Sequence, residues 1–266
     1  MTLTIDLGNT RAKLTLFSAQ TTARTTENTA AQTAILEHHS VTHQHLVAQL
    51  QQMLEQHPNI QRICWCAVGT VPTTLTQFLE KSPCHVQQLL PTAPPAGITI
   101  GYRTPETLGA DRLAAVLGAQ SLLPHHTVLV IDAGTCITFD LLRSDGHYLG
   151  GNISPGLDMR LKAMHHHTAR LPLVTTQGAQ PTWGYDTLTA LRSGAIWGIH
   201  HEIMGYIAQV RAEYPNCCAF LTGGNRYDFN ISTQTCNFAD ESDAIATDNR
   251  IFADEYLVAR GLYALP

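Results

Sequence analysis

Two stretches of this chain repeat one another. Residues 4–17 read TIDLGNTRAKLTLF and residues 130–142 read VIDAGTCITFDLL, so Asp6 and Asp132 stand 126 residues apart in a chain of 266. Each copy is an apolar, β-rich run, an Asp-x-Gly step with a Thr close behind, and a second apolar run. That is the pattern of a strand, a tight turn and a strand. A unit that recurs at close to half the chain length predicts two similar halves. The boundary falls near residues 118–126, giving one half over residues 1–120 and another over 121–266.

The remaining signals fit alternating strands and helices. Residues 20–45 are rich in Thr, Gln and His and carry little pattern, whereas Leu46, Leu50, Met53 and Leu54 fall at helical spacing within 45–57. RICWCAVG at 62–69 reads as a short strand. An Ala/Leu-rich helix is expected over 110–123 and closes at Pro124. Asp145-Gly146 marks a hairpin turn after the strand of the second copy. GGNISPGL at 150–157 is expected to form a loop that turns into a helix reaching about residue 168. A further helix is expected over 187–212, a strand with a Gly-Gly turn over 217–225, and a final helix over about 243–263.

The hairpin Asp6-Leu7-Gly8-Asn9-Thr10-Arg11 has the chemistry of a phosphate cradle. Backbone N–H groups point outward at a tight turn, Gly8 admits close approach to the main chain, and Thr10 adds a hydroxyl. Asp6 is placed to hold Mg²⁺ directly or through water, and Arg11 and Lys13 to balance phosphate charge. One copy alone reads equally as a polar turn capped by its own Asp. The second copy, Asp132-Ala133-Gly134-Thr135, shifts the balance, as does the Thr222-Gly223-Gly224-Asn225 turn that follows it. Two such hairpins facing one cleft, with a Gly-Gly turn behind them, resemble the nucleotide clamp of the actin, hexokinase and sugar-kinase superfamily.

Composition narrows the alternatives. A net charge of −5 argues against a general nucleic-acid binder, which needs a basic face. No apolar run approaches the roughly 20 residues that span a bilayer, and MTLTIDLGNT has no secretory pattern, so a cytoplasmic protein with no membrane partner is expected. The seven cysteines lack zinc-ligand spacing and read as reduced thiols. Neighbouring histidines such as His165, His166 and His167 point apart rather than sharing a face, so no metal site is expected of them.

Four segments carry a more specific resemblance. DLGNTRAK at 6–13, YRTPETLGADR at 102–112, DAGTCITFD at 132–140 and GGNISPGL at 150–157 are similar, in order, to type III pantothenate kinase. The tetrad Gly109-Ala110-Asp111-Arg112 is the most discriminating. The resemblance implies an α/β fold of two ribonuclease-H-like halves, each a mixed sheet flanked by helices, with the active cleft between them. It implies phosphorylation of pantothenate by ATP, with Mg²⁺ and a monovalent cation (K⁺ or NH₄⁺), in a homodimer. Carried over residue by residue, Asp111 is the proton acceptor. Asp6, Leu7, Gly8, Asn9, Thr10, Arg11, Ala12, Lys13 and Thr135 contact ATP, and Asp132 holds the monovalent cation. Tyr102, Gly109, Ala110, Asp111 and Arg112 contact pantothenate, and Thr187 reaches it from the neighbouring subunit, although a helix-capping role explains Thr187 nearly as well. Cys136 departs from the small residue usual at its position. Two rival readings are a kinase for another small molecule within the superfamily and a non-enzymatic accessory factor for transcription.

Overall fold

In the computed structural model, which describes residues 1–18, 34–224, 231–235 and 250–266, the repeat of sequence is a repeat of topology. The first sheet contains β1 (Thr2–Leu7), β2 (Ala12–Phe17), β3 (Ile35–Val41), β4 (Arg62–Ala67) and β5 (His85–Gln88), in the order β3-β2-β1-β4-β5. β1, β2 and β3 form an antiparallel meander, and β4 and β5 add in parallel beyond β1. The second sheet contains β6 (Thr99–Ile100), β7 (Val128–Ala133), β8 (Cys136–Leu142), β9 (His147–Pro155), β10 (Cys218–Thr222), β11 (Gln234–Thr235) and β12 (Ile251–Ala253). Its order is β11-β12-β10-β7-β8-β9-β6. Within it, β9-β8-β7-β10-β12 reproduces the order and the sense of the whole first sheet. The fold is therefore the expected α/β duplication of two mixed, ribonuclease-H-like sheets flanked by helices.

Each sheet needs cover, because central strands such as β1 and β7 bury residues on both faces. Helices α1 (Leu46–Gln56) and α2 (Thr73–Glu80) cover one face of the first sheet, packing Leu50, Met53 and Leu75 against Leu3, Ile5 and Leu14. Helices α4 (Leu157–His166) and α5 (Thr187–Glu213) cover one face of the second, with Leu161, Ile199 and Ile203 against Leu129, Ile131 and Phe139. The opposite faces share one layer. Helices α3 (Ala110–Leu122) and α6 (Leu257–Tyr263) lie in a core that joins Cys64 and Cys66 of β4 to Val128 and Val130 of β7. The two helices touch backbone to backbone: a Cβ on Gly118 would strike the Leu257 carbonyl, and one on Gly261 would strike the Ala114 carbonyl.

Three expectations are corrected. Residues 35–41, read as patternless, form edge strand β3, whose burial alternates along its length. Residues 150–155, read as loop, are the second part of β9, where Gly and Pro are tolerated at the rim of a sheet. The final helix begins at Leu257, and Ile251–Ala253 is a strand parallel to β10; its expected earlier part, 243–249, lies outside the described residues, as do Asn225 and Cys236. Cys64, Cys66, Cys84, Cys136, Cys217 and Cys218 are free thiols, as expected. Among the described residues no helix is long and apolar enough to cross a membrane.

Candidate active site

The first hairpin closes through the Gly8 amide, which donates to the Arg11 carbonyl at 3.1 Å. Asp6, next to last in β1, lies opposite Lys13 on β2 and Cys66 on β4. The Lys13 ammonium is 3.9 Å from its carboxylate, and the Cys66 thiol is 3.9 Å away on the other side. Burial pushes the Asp6 carboxyl up to about 7; Lys13 opposes the rise, and the charges of Asp111 and Asp132 add to it. Leu7 and Ala12 bury their side chains in the core, so only their main chain can meet a ligand. Arg11 turns away from the cleft: its guanidinium donates to the hydroxyl and carbonyl oxygens of Ser40 on β3.

The second hairpin repeats the design. The Gly134 amide donates to the Cys136 carbonyl at 3.0 Å, and Asp132, next to last in β7, lies opposite Thr138 on β8 and Thr222 on β10. Burial lifts the Asp132 carboxyl to about 6, with Lys13 opposing and Asp111 and Asp140 adding. Gly223 closes over it with φ of +92°; a Cβ there would come 2.5 Å from both the Asp132 carboxylate and the Ala133 carbonyl. The Gly-Gly turn therefore packs main chain onto the second hairpin.

Asp111 enters from the shared helix layer. It is the second residue of α3, after N-cap Gly109, where the helix N-terminus favours a carboxylate. The Arg112 amide donates to its Oδ1 at 2.9 Å. Burial raises its carboxyl above the ordinary range in spite of that bond, and Asp140 adds to the rise. Arg112 beside it is buried, with Nε donating to Asp140 Oδ1 and Oδ2 at 2.9 and 3.2 Å. Its Nη2 sits 2.7 Å from Asp140 Oδ1 yet forms no aligned hydrogen bond with any protein atom. That contact is Coulombic, and a buried donor remains for another acceptor. The Tyr148 hydroxyl donates to Asp140 Oδ1 at 2.5 Å, and the Tyr102 ring lies 5.9 Å from the guanidinium. Gly151 leaves room for the pair, since a Cβ there would come within 2.7 Å of both charged groups.

Thr10, Gly134, Thr135 and Gly224 border one open cavity of about 660 Å³. The two hairpins and the Gly-Gly turn thus share a cleft at the carboxyl ends of the central strands, the usual ligand position in sheets of this kind. Asp6, Asp111 and Asp132 feel one another's charge there, with Lys13 as the nearby counter-charge. Such a deficit suits a cation. Among the described residues no three His, Cys, Asp or Glu side chains form a cage for one.

A model of the type III pantothenate kinase family matches residues 2–209. The chain belongs to that family. It is 38% identical over 262 residues to the type III pantothenate kinase of Phocaeicola vulgatus and 40% identical over 262 residues to that of Bacteroides fragilis, covering 98% of this chain and 96% of each relative. Two solved structures share the fold. A Campylobacter jejuni protein described as a Baf family transcriptional activator aligns with TM-score 0.54 at 21% identity, over 98% of this chain and 95% of that one. A Cytophaga hutchinsonii protein described as a sugar kinase aligns with TM-score 0.51 at 13% identity, over 98% of both chains.

For a type III pantothenate kinase, the sequence-predicted residues divide into two groups. Asp6, Lys13, Asp111 and Asp132 converge, and Tyr102 and Arg112 stand together beside them. Thr187 opens α5 at an exposed position, where Asp186 and not Thr187 is the cap, in a reciprocal box with Thr189. Three further residues contribute. Asp140 holds Arg112, and a charged residue inside the apolar run ITFDLL was its signal. Gly151 makes space for that pair. His43 contacts the first hairpin, its Nε2 being 2.9 Å from the Gly8 carbonyl oxygen, and nothing in the sequence pointed to it.

Proposed function

We infer that the chain transfers the γ-phosphoryl group of ATP to the primary hydroxyl of pantothenate, giving 4′-phosphopantothenate for coenzyme A synthesis. Family membership supports the reaction class. The observation that carries the assignment to this cleft is the convergence of Asp111 with Asp6 and Asp132 at the ends of the paired hairpins. The fold neighbour described as a transcriptional activator speaks only for the fold, and a set of half-buried, mutually perturbing carboxylates favours an enzyme over a scaffold.

In this reading the main chain of residues 6–13, with Thr10 and Thr135, cradles the phosphates, and Lys13 balances their charge. Asp111 accepts the proton of the pantothenate hydroxyl as its oxygen bonds to the γ-phosphorus and the bond to the β-phosphate bridging oxygen breaks, releasing ADP. Its raised basicity suits that task better than an ordinary carboxylate would. Gly109, Ala110 and Tyr102 border the substrate, and the spare Nη2 donor of Arg112 takes a substrate oxygen. Asp6 is the residue to hold Mg²⁺, and Asp132 the residue to hold K⁺ or NH₄⁺. Bound cations would neutralise charge on the triphosphate.

We also propose a homodimer. Trp183 and Tyr185 are 87% and 75% exposed, and Leu173, Leu188 and Ile153 are exposed too. This much apolar surface calls for cover, and Thr187, close in sequence to Trp183, Tyr185 and Leu188, would then serve a partner subunit's pantothenate. The activity test is direct. Purified protein with MgATP, K⁺ and pantothenate should yield phosphopantothenate by mass spectrometry; no product, with NH₄⁺ as well as with K⁺, overturns the assignment.

A further inference from the structure

The run His165-His166-His167 closes α4, with His167 as its C-cap, and has no part in the roles above. His165 turns aside, its Nδ1 2.7 Å from the Leu171 carbonyl oxygen. His166 and His167 do not. Both border the same cavity as Thr10 and Thr135, with their rings edge to face and centroids 5.0 Å apart. Positions 158, 162 and 166 face that cavity, and so do 159, 163 and 167. These are two rows at i, i+4 spacing, so a whole stripe of the helix forms the cavity wall.

The stripe begins at the second hairpin. Gly156, the N-cap of α4, donates its amide to the Thr135 carbonyl at 3.1 Å, and a Cβ on it would strike the Gly134 carbonyl. From Asp158 to His166 the helix advances about 12 Å, from the phosphate cradle outward along the cleft. Lys162 stands midway and is the one Lys or Arg among the described residues that border the cavity. A nucleoside triphosphate entering here meets Asp158 on the wall and three half-buried carboxylates near the hairpins. A cation on the wall offsets part of that repulsion.

We propose that Lys162, His166 and His167 are nucleotide-binding residues of this chain, with Lys162 meeting the phosphate chain and the two imidazoles meeting the nucleoside. Lysine serves phosphate as a mobile point charge. Imidazole offers a flat face for a base and ring nitrogens for ribose or base hydrogen bonds. The assignment rests on the kinase reading of the cleft and adds the wall that holds the nucleotide against the hairpins.

The experiment pairs calorimetry, using the magnesium complex of a non-hydrolysable ATP analogue, with steady-state kinetics on the same chain. Lys162→Met should raise the Kd for the analogue and KM for ATP about tenfold, the loss of one charge-assisted contact, while KM for pantothenate stays within about twofold. Lys162→Arg should restore most of the affinity. His166→Ala with His167→Ala should raise KM for ATP about threefold to fivefold, and His165→Ala should leave it unchanged. Unaltered analogue affinity and KM for ATP in both the Lys162→Met and the double histidine variants overturns the proposal. Equal rises in KM for ATP and for pantothenate overturn it as well, since they signify general damage to the cleft. Calorimetry keeps the two readings apart. A wild-type protein that binds the analogue through Lys162 but makes no phosphopantothenate refutes the pantothenate assignment and supports the wall.

Discussion

Asp140 is buried and Asp111 half-buried beside Arg112, and their environments give them opposite tasks. Asp140 spends its oxygens on Arg112 and Tyr148, whereas Asp111 has one amide bond and a raised proton affinity. Asp111→Asn should lower kcat by about 10²- to 10⁴-fold, the usual worth of a positioned base. Thermal stability should hold or rise, because a charge that burial disfavours is gone. Phosphopantothenate formation and a melting curve, measured on one preparation, check both halves. The pH profile follows from the same shift. Asp111 must be ionised to accept a proton, so kcat/KM should fall as pH drops through its raised pKa, on a limb lying above the ordinary carboxylate range. Asp140→Asn strands a buried guanidinium and should cost about 3–5 kcal/mol in urea unfolding. Tyr148→Phe removes one hydrogen bond to a carboxylate and should cost less, about 1.5–3 kcal/mol. Both should raise KM for pantothenate more than KM for ATP, since they loosen Arg112 and leave the hairpins alone.

At the scale of elements, the contact between α3 and α6 sets two effects against each other. Gly261→Ala on an exposed helix would gain about 1 kcal/mol from propensity. Here the new methyl meets the Ala114 carbonyl, and main chain yields only if the helices part. Overpacking of this kind costs about 1–3 kcal/mol or more, so urea denaturation should show a net loss. The same elements show what the sequence makes legible. Asp6 and Asp132 announce themselves because a tight turn after an apolar strand demands Asp-x-Gly locally, and the copy 126 residues on confirms the pattern. Asp111 needs the family tetrad, since its chemistry arises from hairpins far away in sequence. Asp140 stayed hidden because its partner is 28 residues earlier, on another element. The glycines of β9 read as loop because they lie beyond its short pairing with β6, where the free rim of the sheet relaxes the composition rules that central strands obey. β12 is three residues long, too short for any periodicity to show.

For the whole molecule, the exposed surface around Trp183 and Tyr185 decides the working unit. If two copies meet there, Trp183→Ser combined with Leu188→Asp should convert a dimer to a monomer in light scattering. The isolated chain should remain folded, because neither side chain belongs to a core cluster. Turnover should fall with the dimer if Thr187 serves a partner's site; full activity in a monomer would remove Thr187 from the substrate pocket.

The helix layer shared by the two sheets has a consequence for the order in which this protein can be made. β1 is synthesised long before α6, which packs against it and comes from residues 257–263. The ribosome therefore releases a first sheet that has α1 and α2 on one side and only α3 on the other. Vectorial folding of the N-terminal half stops at a half-clothed intermediate, which waits for some 140 further residues before its second face is closed. Chains cut short before residue 257 would leave that face open and become natural clients for chaperones and proteases.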